Sequence, residues 1–197
     1  MKIACVAFKG GCGKSTTAIH LAAYLQRLAP TLLADGDTNQ SVIDFAGRGE
    51  GLPFAVANER QAVKLARQFT HVVVDTAAKP NRAELRDLAR SDLIVIPTSP
   101  DAMSLAALLK TVSALRELGA ERFKVLITII PPYPSKDGEE ARALLVANKL
   151  PVFEGGIHRR AAFQKASLAG TTVDRVSDPR AAEAWAEYQA IGRQIIT

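Results

Sequence analysis

The apolar run Ile3-Ala4-Cys5-Val6-Ala7-Phe8 passes straight into Lys9-Gly10-Gly11-Cys12-Gly13-Lys14-Ser15-Thr16, and then into a helix-like stretch from Thr16 to Leu28. Strand, glycine loop, Gly-Lys-Ser and helix form the layout of a phosphate-binding loop. Gly10, Gly11 and Gly13 lack a Cβ, so the backbone can curl with its N–H groups pointing inward at a polyphosphate. The next helix adds its free N–H groups and the positive end of its dipole. Lys14 then reaches the β- and γ-phosphates, and Ser15 offers a hydroxyl to Mg²⁺. Few local sequences constrain a fold as tightly, because the loop functions only between a buried strand and a helix.

This loop departs from the ordinary pattern G-x-x-x-x-G-K-[ST]. Phe8 stands where the first glycine is expected, and a second lysine, Lys9, precedes a glycine pair. Lys9 lies on the far side of the loop from Lys14, so the two do not grip one phosphate from the same direction. Either Lys9 points outward, toward a nucleotide held by another subunit, or it is a solvated loop lysine. K-G-G-C-G-K-S-T resembles the deviant Walker A motif of the ParA/MinD group of P-loop ATPases. The resemblance implies an ATP site built from residues 9–16, Cys12 and Thr16 included. It also implies a homodimer sandwiching two nucleotides, with Lys9 crossing to complete the opposite site.

Two further motifs follow in the order this group shows. Leu32-Leu33-Ala34-Asp35-Gly36-Asp37-Thr38-Asn39-Gln40-Ser41 is a strand-like run ending in carboxylates at i and i+2, on one side of an extended backbone. At a strand's carboxyl end they face the crevice of an open α/β sheet. A carboxylate there can polarise an attacking water or hold Mg²⁺ through a bound water. The resemblance implies that Asp37 orients the water and Asp35 supports it, with Thr38 in place of the usual proline and Asn39 where glutamine is common. The competing reading is a pair of turn-forming aspartates around Gly36. His71-Val72-Val73-Val74-Asp75-Thr76 reads as a strand buried on both faces, ending in Asp75 at the Walker B position that holds Mg²⁺. The resemblance then makes Thr76-Ala77-Ala78-Lys79-Pro80 a loop sensing the γ-phosphate.

The remaining chain alternates strand-like runs at 93–96, 123–130 and 150–153 with helical spacing over 80–90, 101–118 and 138–148. That alternation predicts a doubly wound, mostly parallel α/β sheet flanked by helices on both faces. With 197 residues, 48% of them hydrophobic, one domain over 1–197 buries a full core. Asp178-Pro179 predicts the start of a last helix, whose stripe of Ala184, Trp185, Tyr188, Ile191 and Ile195 packs onto the sheet. The two cysteines, Cys5 and Cys12, suit a reducing cytosol, and no run approaches the ~20 apolar residues of a membrane span. No signal peptide is read at the N-terminus, nor room for a DNA-binding domain ahead of the first strand.

A net charge of +5 is concentrated in part between Gly155 and Arg175, where Arg159, Arg160, Lys165 and Arg175 face only Asp174. Arginines at such a strand-to-helix boundary contact phosphates without reading bases. The resemblance assigns Arg159, Arg160 and Lys165 to a nonspecific duplex-DNA surface; a solvated basic face or dimer salt bridges are the alternatives. It further implies a cytoplasmic, nucleoid-associated ATPase that positions plasmid, chromosome or protein cargo, stimulated by a ParB-like or cargo-adaptor partner. The alternative within the group is a MinD-like membrane-associated ATPase. The tail Ile191-Gly192-Arg193-Gln194-Ile195-Ile196-Thr197 is a poor amphipathic anchor for it. A metal-carrier relative would bridge its dimer with cysteines downstream of the loop, and there are none.

Overall fold

A computed structural model describes residues 1–37, 41–78, 80–120 and 122–196; the expectations on Thr38, Asn39 and Lys79 fall outside them. Six strands, β1 (Lys2–Cys5), β2 (Thr31–Gly36), β3 (Ala55–Asn58), β4 (His71–Thr76), β5 (Leu93–Thr98) and β6 (Phe123–Ile127), form one sheet in the order β3-β2-β4-β1-β5-β6. Every pairing is parallel. Between them run α1 (Lys14–Gln26), α2 (Ser41–Ala46), α3 (Glu59–Leu65), α4 (Arg82–Leu88) and α5 (Ala102–Glu117), followed by α6 (Asp137–Ala147), α7 (Ala161–Ala169) and α8 (Ala181–Ile196). The doubly wound α/β architecture expected from the alternation is the one observed.

Alternation along each strand divides the core. Ile3, Cys5, Leu33, Val73, Val95 and Leu126 face a cluster closed by α1, α7 and α8. Ala4, Val6, Ile94, Ile96, Val125 and Ile127 face the opposite cluster under α4, α5 and α6. A smaller group, Leu32, Ala34, Ala57 and Ala62, lies beneath α3. Burial at alternating residues on both sheet faces is what parallel strands with helical crossovers require.

Several expectations need correction. The 150–153 run is not a strand: it contributes one isolated bridge, Val152 to Val125. The third motif is not buried evenly on both faces, since Val73 is fully buried while Val72 and Val74 are only partly buried. Residues 123–130 pair as a strand only to Ile127, because Ile129 takes φ 54° and turns the chain. The last helix begins two residues later than Asp178-Pro179 predicts. Asp178 instead accepts the Arg180 N–H at 2.9 Å and pairs with Lys165 at 2.9 Å.

The α8 stripe joins the cluster on the sheet face under α1 and also lies against α1 itself. Tyr188 stacks on His20 at 4.7 Å, and its hydroxyl meets Thr17 at 3.3 Å. A Cβ on Gly192 would fall 2.3 Å from the Tyr24 ring, so glycine is what lets the helices close here. His20 joins the core as a neutral ring: burial pushes its pKa down to about 4, and Nε2 accepts the Val173 N–H at 3.0 Å.

Candidate functional site

The loop between β1 and α1 crosses the carboxyl edge of the sheet, beside β4. Gly11 and Gly13 take φ of 78° and 79°, left-handed conformations that side chains resist. Gly13 ends the loop as the residue ahead of α1, and the helix ladder starts when Thr17 donates to its carbonyl at 2.8 Å. The amides of Lys14, Ser15 and Thr16 therefore have no partner inside the helix and are available to an anion. Thr128 ties the loop to the end of β6 by donating its hydroxyl to the Cys12 carbonyl at 2.7 Å. Cys12 is buried, with its thiol on the Lys9 carbonyl at 3.3 Å and its pKa raised by burial.

Lys14 is only 8% exposed. Its ammonium contacts the Thr76 carbonyl and lies 2.8 Å from Asp75 Oδ1. Burial pushes the Asp75 carboxyl up, while Lys14 and the Ser15 hydroxyl pull it back. Asp75 Oδ2 is buried without any hydrogen-bond partner among the described residues. An orphaned carboxylate oxygen next to a serine hydroxyl is a costly arrangement unless a cation or a donor fills it. Ser15 and Asp75 therefore fit Mg²⁺. Among the described residues no three His, Cys, Asp or Glu side chains converge, so phosphate oxygens and water would complete its shell.

Asp35 pairs with Asp75 in register across β2 and β4, which puts both carboxylates at one level of the sheet edge. Its oxygens are already engaged. Oδ1 accepts the Asp37 N–H at 3.1 Å, and Oδ2 accepts the Val42 and Ile43 N–H groups at 2.9 and 3.1 Å. Asp35 thus receives the first N–H groups of α2, a structural task beside the supporting role expected for it at the cation. Asp37 follows, partly buried, just past the end of β2.

Lys9 does not point outward. Its ammonium folds back onto the start of α5, 2.7 Å from Ser104 Oγ and 3.1 Å from Asp101 Oδ1. Asp101 is the N-cap of α5, accepting the Ser104 N–H, and the Ser104 and Ser99 hydroxyls both donate to it at 2.6 Å. Those hydroxyls, with Lys9, hold its carboxyl well below the usual carboxylate range. Sequence reading missed this cradle. Ser99-Pro100-Asp101 signals a helix cap, but nothing in it names a residue more than 90 positions away.

The three basic candidates separate. Arg160 is largely buried and makes two ion pairs, with Glu183 at 2.6 Å and Glu187 at 2.5 Å. Lys165 is held by Asp178. Arg159 is exposed and makes no ion pair among the described residues. Near β6, Ile130 donates its N–H to the Ile157 carbonyl and accepts the Arg159 N–H.

A parallel sheet with a glycine loop, buried lysine and strand-end aspartate at its carboxyl edge defines a P-loop nucleotide-binding protein. The family profile described as CobQ/CobB/MinD/ParA nucleotide binding domain matches residues 3–173. The maintenance of carboxysome distribution protein A of Gloeobacter kilaueensis is 31% identical over 194 residues, 95% of this chain and 90% of that one. Protein ParA of Rhizobium radiobacter is 29% identical over 170 residues, 79% and 77% of the two chains. Among solved structures, an ATP complex of a McdA variant from Cyanothece superposes with a TM-score of 0.70 at 17% identity, covering 97% and 96%. At that identity the superposition speaks to the fold alone. The chain belongs to the CobQ/CobB/MinD/ParA nucleotide-binding family.

Proposed function

We propose that this chain is a ParA-type ATPase, a single domain that binds ATP with Mg²⁺ and closes into a sandwich dimer to position cargo. The observation that carries the reading is the buried Lys14–Asp75 pair with its orphaned Oδ2 beside Ser15. In the resting chain Lys14 holds Asp75 and the Thr76 carbonyl. A triphosphate in the loop offers Lys14 better partners, and its departure releases Asp75, with Ser15, for the cation. Bound Mg²⁺ would supply charge neutralisation between the β- and γ-phosphates. Asp37 orients water, and Lys9 from the second subunit steadies charge on the transferred group as an arginine finger does.

Asp37→Ala tests the hydrolytic half. It should bind ATP within a few-fold of the parent and still dimerise, while single-turnover hydrolysis falls by about 10² or more, the usual worth of a positioned proton-transfer group. Undiminished turnover would remove Asp37 from the chemistry.

Duplex DNA is the proposed surface on which the closed dimer rests, in the cytoplasm along the nucleoid, until a ParB-like or cargo-adaptor protein accelerates hydrolysis. Arg159 is the residue best placed for phosphate contact. Arg159→Ala should weaken ATP-dependent DNA retention for all sequences alike and lower the salt slope by roughly one per site lost. Arg160→Ala should instead lower the melting temperature, because it removes a largely buried side chain and its ion pairs to Glu183 and Glu187 on α8. An unchanged salt slope in the Arg159 variant would move the DNA surface elsewhere. A membrane-bound reading has less support. No helix among the described residues is long and apolar enough to span a bilayer, and the apolar face of α8 is used up against α1.

A further inference from the structure

α3 and α4 each carry a row of cations on the side away from the sheet. Arg60, Lys64 and Arg67 form one row, on α3 and the turn after it; Arg82, Arg86 and Arg90 form the other, on α4 and just past its end. Steps of three and four residues keep each row on one helix face, with an advance of about 6 Å per four residues. The buried Ala62, Leu85 and Leu88 mark the sheet-facing sides of the same helices. All six cations are exposed, and none has an ion pair, side-chain hydrogen bond or ring contact among the described residues. Elsewhere Lys9, Arg27, Arg160 and Lys165 are each matched to a carboxylate.

Like charges at i and i+4 disfavour a helix, so each row weakens its own helix when nothing neutralises it. The neighbouring carboxylates do not. Glu84 is occupied by Asn81, accepting its backbone N–H at 2.8 Å and its side-chain amide at 2.7 Å. Glu59 and Asp87 line the groove between the two helices and pair with none of the six. Both helices lie on the sheet face opposite α1, α7 and α8. This charge is therefore separate from Arg159, whose neighbours His158 and Arg160 are tied to α8.

We propose that the outer face of α3 and α4 is a phosphate-binding surface for the backbone of duplex DNA, distinct from the one at Arg159. Two features favour a duplex. Five of the six cations are arginines, whose planar fork takes phosphate oxygens in pairs. A duplex carries about one negative charge per 1.7 Å of its axis, dense enough to meet both rows at once. An anionic membrane fits less well, because Val63 is the one large apolar side chain exposed on these two helices among the described residues. Binding at this face stands without the Arg159 surface. Only its consequence, that one molecule bridges two duplexes, rests on that reading.

The probe is a fluorescein-labelled duplex of about 20 base pairs, titrated with the full chain over a salt series, with and without ATP. The test variant combines Arg60→Gln, Lys64→Gln, Arg82→Gln and Arg86→Gln. Glutamine is a good helix former, and losing like-charge neighbours should leave the melting temperature no lower than the parent's. The slope of log K against log salt should become shallower by about two or more, with Kd raised at least about tenfold. Arg60→Lys, Arg82→Lys and Arg86→Lys together keep the charge and should hold the slope within about half a unit. Lys136→Gln with Lys149→Gln removes exposed charge elsewhere and should also leave the slope in place.

An unchanged slope in the glutamine variant overturns the surface. So does an equal loss per charge in the Lys136 and Lys149 control, since the effect is then one of net charge. Unchanged duplex binding with lost flotation on phosphatidylserine vesicles assigns the face to a membrane and overturns it as well. Arg159→Ala in the same series separates the two surfaces. A slope lost only there removes the α3–α4 face, whereas a slope lost only in the glutamine variant upholds it and counts against Arg159. Loss in both upholds both, and the parent should then carry a second labelled duplex onto duplex-coated beads.

Discussion

Replacing Lys14 by alanine is expected to raise the Kd for ATP more than 100-fold, and to do so with a stability defect whose pH dependence identifies the cause. The ammonium is buried against Asp75, a residue with no exposed surface, at 2.8 Å. Removing one member of a buried pair leaves the other charge uncompensated, which costs about 3–5 kcal/mol at neutral pH. Asp75 has one escape, which is to take up a proton. Burial already raises its carboxyl in the parent chain, and losing Lys14 removes the main influence pulling it back. A carboxyl whose folded pKa lies above its unfolded value contributes stability that is present below the unfolded pKa and is lost as pH rises through the folded one. The alanine variant should therefore melt closer to the parent at pH 5 than at pH 8. Thermal melts at both values, with titration of a fluorescent ATP analogue, measure the two effects. ATP binding within threefold of the parent would remove Lys14 from the nucleotide site. An equal melting deficit at both pH values would mean that Asp75 is not the group left stranded.

How much of this was legible in the sequence depends on the range of the interaction. The glycine loop, the strand ending at Asp75 and the apolar stripe of α8 are set by neighbours within a few residues. Periodicity and motif spacing carry them directly. Arg160 shows where that stops. Glu183 and Glu187 lie one helical turn apart on α8, a spacing visible in the chain, but only the fold decides that Arg160 meets that face. His158-Arg159-Arg160 thus reads as a uniform basic run, whereas Arg159 is exposed and Arg160 is tied by ion pairs to α8.

The contacts of Asp35 and the burial of the valine run of β4 lie beyond local sequence for a related reason. The i, i+2 spacing puts the two carboxylates on one side of the strand, but only the fold brings the N–H groups of Asp37, Val42 and Ile43 onto Asp35. Val72-Val73-Val74 predicts uniform burial, and the gap between α3 and α4 uncovers one face. Helix splay of that kind is a tertiary choice with no signature in local hydropathy.

Lys9 carries the largest effect expected on the chemical step. A cationic finger donated to a phosphoryl-transfer site is worth about 10³–10⁵ in kcat. Lys9→Ala should therefore bind ATP within a few-fold of the parent and hydrolyse it at least about 10³-fold more slowly. The obstacle is that Lys9 is folded onto Asp101 and Ser104 and must leave them before it crosses to a second subunit. How strong is that latch? Lys9 and Asp101 are 34% and 50% exposed, and ion pairs of that exposure are worth about 0–1 kcal/mol. Release thus costs at most about a fivefold population factor, small beside the gain on closure. Asp101→Asn separates the two contributions, because asparagine caps a helix as well as aspartate and leaves α5 intact. Its expected result is an unchanged kcat, with closure reached at a few-fold lower ATP concentration, read from turnover and sedimentation across an ATP titration. If Asp101→Asn instead abolishes hydrolysis as Lys9→Ala does, the contact belongs to the working state. Lys9 would then act from within its own subunit.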